Sequence, residues 1–312
     1  MIAVANALIP VFLLVVLGIF LKRTLLKSEN AWDSLEDLTY YVLFPALLFV
    51  ATATADLSKV PIWGICAALV SAIVTVALLL LLFRKPLQRA FGWSGPAYTS
   101  VFQGAVRWNT YIAVAVASSL LGEQGLALAA VALASMIPLI NVISVVVLAR
   151  YASHQPANLR VTLFHLVRNP FIWACALGVL VNVSGVPLPK VLVNFSNILG
   201  QASLALGLLI VGAGLELRKA VKIDSAVIVA TIGKLILLPT LAILTGWLSG
   251  VSGPALVVVA IASSVPSAPN GYMLARQMGG DAPLLARILT AQIVFALFSI
   301  PAALAAAAYL AP

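Results

Sequence analysis

Charge is what this chain has least of. Asp, Glu, Lys and Arg make up only 9% of its 312 residues, while 63% are hydrophobic. Soluble domains carry about 25% charged residues. With a mean hydropathy of +1.13, the chain reads as an all-α polytopic membrane protein. Acidic residues are rarer still. All nine lie between the long apolar runs or at their ends, none within one. This argues against a carboxylate-based proton relay inside the membrane. It also removes the acidic metal ligands that an intramembrane prenyl or acyl transferase would need, and no nucleophile–base pair replaces them, so the protein is not expected to be an enzyme.

Cysteine and histidine are nearly absent. Cys66 and Cys175 stand on separate apolar runs with no CxxC spacing, and read as small buried hydrophobes. His154 and His165 share one basic loop with no HExxH pattern. No metal site and no cofactor are expected. A basic run with interleaved aromatics is missing too, so the net charge of +9 does not point to nucleic acid; basic loops on the cytoplasmic side of a membrane account for it. The N-terminus lacks a basic stretch ahead of its first apolar run, since Lys22 and Arg23 follow it. Residues 2–21 therefore read as a first span, not a cleaved signal.

What the chain has in abundance is long apolar runs. A helix needs about 20 apolar residues to cross the hydrocarbon core. Ten such spans are expected, near 2–21, 37–55, 61–83, 97–121, 124–150, 169–186, 192–216, 225–248, 254–278 and 282–310. The gaps after odd-numbered spans carry the basic residues, from Lys22, Arg23 and Lys27 to Arg276 and Arg287. The even gaps carry only Lys59 and Lys190. The positive-inside rule then places the odd gaps in the cytoplasm and both termini outside.

The spans fall into two copies. Pro10 and Pro170 are each followed eight residues later by a glycine, Gly18 and Gly178. Ala46-Leu47-Leu48 matches Gly207-Leu208-Leu209, and Asn109 matches Asn270, at nearly the same offset. Five spans separate the copies, an odd number, so the halves have opposite topology: a 5+5 inverted repeat.

In each half the fourth span is interrupted. One interruption is Phe102-Gln103-Gly104-Ala105-Val106-Arg107-Trp108-Asn109-Thr110-Tyr111, and the other is Ser264-Val265-Pro266-Ser267-Ala268-Pro269-Asn270-Gly271-Tyr272. Irregular backbone at membrane depth is tolerated only when buried in protein or lining a cavity. Both spans are expected to break, near 105–110 (at Val106) and 265–271 (at Pro266, Pro269 and Gly271), with the breaks facing each other. The second half of a broken helix presents a positive dipole end and free N–H groups, which suit an anion such as a carboxylate. Asn109, Thr110, Ser267, Asn270 and Tyr272 are candidate substrate contacts. Arg107 either clamps a carboxylate or compensates a helix dipole, and Lys234, roughly 14 Å into its span, has the same two readings with compensation preferred. Asn141, after Pro138, and Gln292 either touch ligand or satisfy backbone groups, and Gln103 and Gln292 are candidate polar lining or neutral cation ligands. Sodium coupling through neutral oxygens stays open, as does proton coupling without a buried carboxylate. Gly212-Ala213-Gly214 reads as a close-packing surface.

Together, Arg107-Trp108-Asn109-Thr110-Tyr111-Ile112, Pro138-Leu139-Ile140-Asn141-Val142, Lys234-Leu235-Ile236-Leu237-Leu238-Pro239 and Pro266-Ser267-Ala268-Pro269-Asn270-Gly271-Tyr272 resemble the auxin efflux carrier family, which includes bacterial malonate-type carriers. The resemblance implies a fold similar to bile-acid symporters and sodium–proton antiporters, with two crossing broken helices and an elevator-like movement. It divides the chain into scaffold (1–56, and 151–220 with its cytoplasmic loop) and transport domain (57–150 and 221–312). It further implies a small organic anion as substrate, a multi-pass location in the cell membrane (a bacterial inner membrane) and a homodimer through the scaffold. One departure is that Ala205 and Leu206 stand where a proline matching Pro45 would be expected. The reading is a secondary transporter of a mono- or dicarboxylate. Its alternatives are a sodium-coupled symporter of a larger amphipathic anion and an anion sensor that moves nothing.

Overall fold

The computed structural model describes residues 2–55, 61–152, 167, 169–215 and 223–310, and all regular structure among them is helical. His154, His165, Lys59, Arg160, Arg168, Arg218, Lys219 and Lys222 lie outside the described residues.

The helices are α1 (Ile2–Thr24), α2 (Glu29–Leu38), α3 (Phe44–Ala53), α4 (Ile62–Leu82), α5 (Arg84–Phe91), α6 (Gly95–Val106), α7 (Thr110–Tyr151), α8 (Pro170–Ser184), α9 (Lys190–Ala213), α10 (Ser225–Ile232), α11 (Leu238–Leu248), α12 (Gly253–Ser264), α13 (Asn270–Met278) and α14 (Ala282–Leu310). Among the described residues seven helical segments are long and apolar enough to cross a membrane, and α8 and α12 are shorter apolar helices. The protein is thus a multi-pass membrane protein. The difference from ten expected spans lies in three places. The stretch Gly95–Tyr151 contains two expected spans; α8 has 15 residues; and the ninth expected span is split between α12 and α13. Within α7 the chain leaves helical geometry at Gly122 (φ 58°, ψ −137°), and a side chain on Gly125 would meet the Ala117 carbonyl at 2.1 Å. The chain folds back on itself there, so the stretch is not one rod.

Two helices widen into a single π turn. Thr39–Leu43 joins α2 to α3, and Gly233–Leu237 joins α10 to α11. Each comes just before a proline, Pro45 or Pro239. Proline has no N–H to donate and its ring crowds the carbonyl four residues back; the wider turn relieves both problems without ending the helix. The segment carrying the first π turn begins at Glu29, eight residues earlier than the expected span. Lys22 pairs with Glu29 at 3.1 Å, and buried Trp32 packs with Ile210 and Ala213 while donating to the Leu26 carbonyl. Tertiary burial of one face thus carries a stretch with four acids, Glu29, Asp33, Glu36 and Asp37, into the helix.

The chain divides into two compact units. The first takes described residues within Met1–Pro61, Tyr111–Ala134 and Phe164–Gly214. Residues 111–134 belong to it. Its helices approach closely through glycine: a side chain on Gly18 would lie 2.1 Å from the Leu209 carbonyl oxygen, and one on Gly212 1.9 Å from that of Val15. Gly178 lies as close to Thr52, and in the same unit the rings of Tyr40, Phe44, Tyr111 and Phe171 form an aromatic cluster. Lipid offers no hydrophobic drive between helices, so this close packing is what holds α1 to α9. Gly212→Ala should therefore lower the thermal unfolding midpoint in detergent, by the equivalent of about 1–3 kcal/mol as for other overpacked contacts. An unchanged midpoint would mean α1 and α9 part easily.

The second unit takes Ile62–Thr110, Ser135–Leu163 and Leu215–Pro312, again for the described residues within them. It contains α6 and α12, two helices of 12 residues with the same entry and exit. Each follows an extended serine and has proline in its first turn, in Ser94-Gly95-Pro96-Ala97 and Ser252-Gly253-Pro254-Ala255. Each ends in an extended residue, Arg107 (ψ 157°) and Val265 (ψ 154°).

Candidate functional site

The site lies where α6 and α12 stop. Pro266 has no N–H to continue α12 and disfavours helical geometry in Val265 before it. The helix ends at Ser264, and α13 starts only at Asn270. In the other interruption α6 ends at Val106 and α7 starts at Thr110. The two breaks touch through the main chain, where the Asn109 N–H donates to the Pro266 carbonyl at 2.8 Å.

Breaking a helix in an apolar setting orphans backbone groups, and each needs a new partner. An unbroken α12 would have the Ser267 N–H donating to the Ser263 carbonyl. Here the Ser267 N–H donates instead to Gln292 Oε1 at 2.9 Å, and the ammonium of fully buried Lys234 donates to the Ser263 carbonyl at 3.0 Å. An unbroken α6 would likewise have the Trp108 N–H donating to the Gly104 carbonyl. Gln292 Nε2 supplies that carbonyl at 2.9 Å and also reaches the Ala230 carbonyl at 3.3 Å. One buried amide thus serves both breaks. Lys234 places its positive charge at the C-terminal, negative end of α12, a favourable arrangement for both.

Arg107 is 4% exposed. Its Nε donates to Gln103 Oε1 and its Nη1 to Asn270 Oδ1, both at 3.0 Å. Gly271 makes this possible, since a side chain there would lie 2.9 Å from Arg107 Cδ. The guanidinium therefore lies against the start of α13 and joins the two breaks a second time. On the two interrupted stretches, Gln103 Nε2, Trp108 Nε1 and Ser267 Oγ are buried without a hydrogen-bond partner among the described residues, as are the hydroxyls of Ser144, Thr231 and Ser299 elsewhere. The first three can donate. Buried polar groups are normally satisfied, so unpartnered donors on both interruptions are candidate ligand contacts.

The structure thus brings together Gln103, Arg107, Asn109, Pro266, Ser267, Asn270 and Gln292. Asn109 and Ser267 are fully buried, whereas Asn270 is exposed, so the group reaches the surface there. Val106 ends α6, Thr110 starts α7 half-buried, and Pro269 immediately precedes α13. Tyr272, half-buried on α13, packs against the apolar cluster that includes Val101, Leu285 and Ile288. Asn141 is half-buried within α7. Trp108 did not stand out in the sequence, because a tryptophan within an apolar run has an ordinary packing role.

Among the described residues no group of three or more His, Cys, Asp or Glu is placed to hold a metal. A broken, polar centre buried among apolar helices is the arrangement of a membrane transporter, where irregular backbone lines the path of a solute. The chain belongs to the auxin efflux carrier family: the family described as Membrane transport protein matches residues 3–304. A comparison with curated proteins gave no match.

Proposed function

We propose that the protein is a secondary transporter that carries a small organic anion, a mono- or dicarboxylate, bound where the two broken helices meet. The observation that carries this reading is Arg107, buried and held between Gln103 and Asn270, with unpartnered buried donors on both interruptions. A carboxylate offers two acceptor oxygens and a charge, and a guanidinium with amide, indole and hydroxyl donors complements both. The start of α13 adds partial positive charge. In this reading Lys234 and Gln292 serve the helix ends and leave the anion to Arg107, Asn109, Ser267 and Asn270.

The larger frame is proposed with it. Ten spans form a 5+5 inverted repeat with both termini outside, in the inner membrane of a bacterium. A transport domain moves against a scaffold in an elevator-like cycle, and the scaffold pairs two copies.

The test is counterflow of radiolabelled carboxylate into proteoliposomes. Asn109 touches Pro266 through its main chain, so Asn109→Ala keeps that bond. Both Asn109→Ala and Asn270→Ala should reduce counterflow at least tenfold; Asn270→Ala also takes an acceptor from buried Arg107 and should lower thermal stability as well. Full counterflow in both variants would remove these residues from the site. Runs with and without sodium separate simple carboxylate carriage from sodium-coupled symport. A ligand-dependent stability shift without counterflow would mark a sensor.

A further inference from the structure

One element takes no part in the site. α5 (Arg84–Phe91) is a short helix that starts as soon as the apolar helix α4 ends, with only Phe83 between them. Its sequence, Arg-Lys-Pro-Leu-Gln-Arg-Ala-Phe, contains no acid, and no residue of α5 is buried. Lys85 and Arg89 are four residues apart and both exposed, so they share one outward face. The apolar residues at its two ends, Leu82, Phe83 and Phe91, are 73%, 51% and 47% exposed.

This pattern has a physical consequence. Large apolar side chains left uncovered at both ends of a basic helix are costly in water. They are favourable at the boundary between acyl chains and headgroups, where the helix lies flat. α4 is apolar enough to cross a membrane, so α5 begins where that crossing ends. The outward cations then stand at headgroup level, where phosphate charge is their natural complement.

We propose that α5 is a docking surface for anionic phospholipid headgroups, gripped by Lys85 and Arg89. The helix is fastened to the parts of the second unit that lead into the site. Arg84 lies over the Tyr151 ring at 4.4 Å, and the Tyr98 ring of α6 packs edge-on against that same ring. Phe91 stacks on Trp93, whose indole N–H donates to Ser225 Oγ at the start of α10 at 3.1 Å. α6 leads to Arg107, and α10 leads to the π turn carrying Lys234. α5 is thus linked by contacts to the starts of both helices that supply the buried cations. The inference goes beyond the transport reading and does not depend on what the site binds.

The test is hydrogen–deuterium exchange of the whole protein in nanodiscs, with pure phosphatidylcholine compared against a mixture containing one third phosphatidylglycerol. Peptides covering 84–93 should exchange several-fold more slowly in the mixture. The slowing should fade in about 1 M salt, where the screening length falls to about 3 Å. It should vanish in Lys85→Gln/Arg89→Gln and persist in Lys190→Gln, which removes an exposed cation elsewhere. Equal exchange in the two lipids overturns the proposal, and so does slowing that survives the double substitution.

Discussion

Replacing Gln292 by leucine should cost this protein at least about 2 kcal/mol of stability. Leucine keeps the approximate volume and removes both polar ends of the amide. The Ser267 N–H and the Gly104 carbonyl then lose a partner together, while the Ala230 carbonyl still accepts from the Gly233 N–H. Each buried group left unsatisfied costs roughly 1–3 kcal/mol, and no water stands nearby in hydrocarbon to replace it. Denaturant or thermal unfolding in detergent reads the effect directly. Gln201, exposed on α9, supplies the control: Gln201→Leu should stay within about 0.5 kcal/mol of the parent. If Gln292→Leu were equally mild, the two breaks would be held by something other than this amide.

The second large effect is expected at Arg107, and it separates two roles. Arg107→Lys keeps the charge but loses the fork. One ammonium does not reproduce the guanidinium's geometry toward Gln103 and Asn270 while also presenting paired donors to a carboxylate. A charge-assisted hydrogen bond contributes about 1.5–3 kcal/mol, and 1.4 kcal/mol is tenfold in affinity. Carboxylate binding to purified protein, read by calorimetry, should therefore weaken by about 10- to 100-fold. A variant that binds carboxylate like the parent but unfolds more easily would restrict Arg107 to tying the breaks together, and the anion site would have to be sought elsewhere.

Much of this centre was legible because its causes are local. Pro266 and Pro269 within an apolar run announce a break, since proline lacks the N–H a helix needs. Arg107 and Asn109 mark the other break, because polar residues in hydrocarbon are costly and need a reason. A further local signal went unused: Ser94-Gly95-Pro96-Ala97 and Ser252-Gly253-Pro254-Ala255 begin two helices of the same length. The two π turns were open to the same kind of reasoning through Pro45 and Pro239. The start of the second helical segment at Glu29 was not. Its polar residues read as a loop, and only the burial of Trp32 beside Ile210 and Ala213, far away in the chain, makes them helical.

By itself, the sequence determined that the chain is a bundle of apolar helices and where two of those helices stop. Hydropathy, proline and glycine act on the residues next to them, so their effects can be read in place. What only the tertiary structure decided is which groups satisfy the orphaned ends. Gln292 finds Gly104 across 188 residues, Arg107 finds Asn270 across 163, and Lys234 finds Ser263 across 29. Each of these side chains had two or more chemically reasonable roles. A hydrogen bond chooses among them by distance and direction within a few tenths of an ångström, and those quantities exist only once the helices have packed.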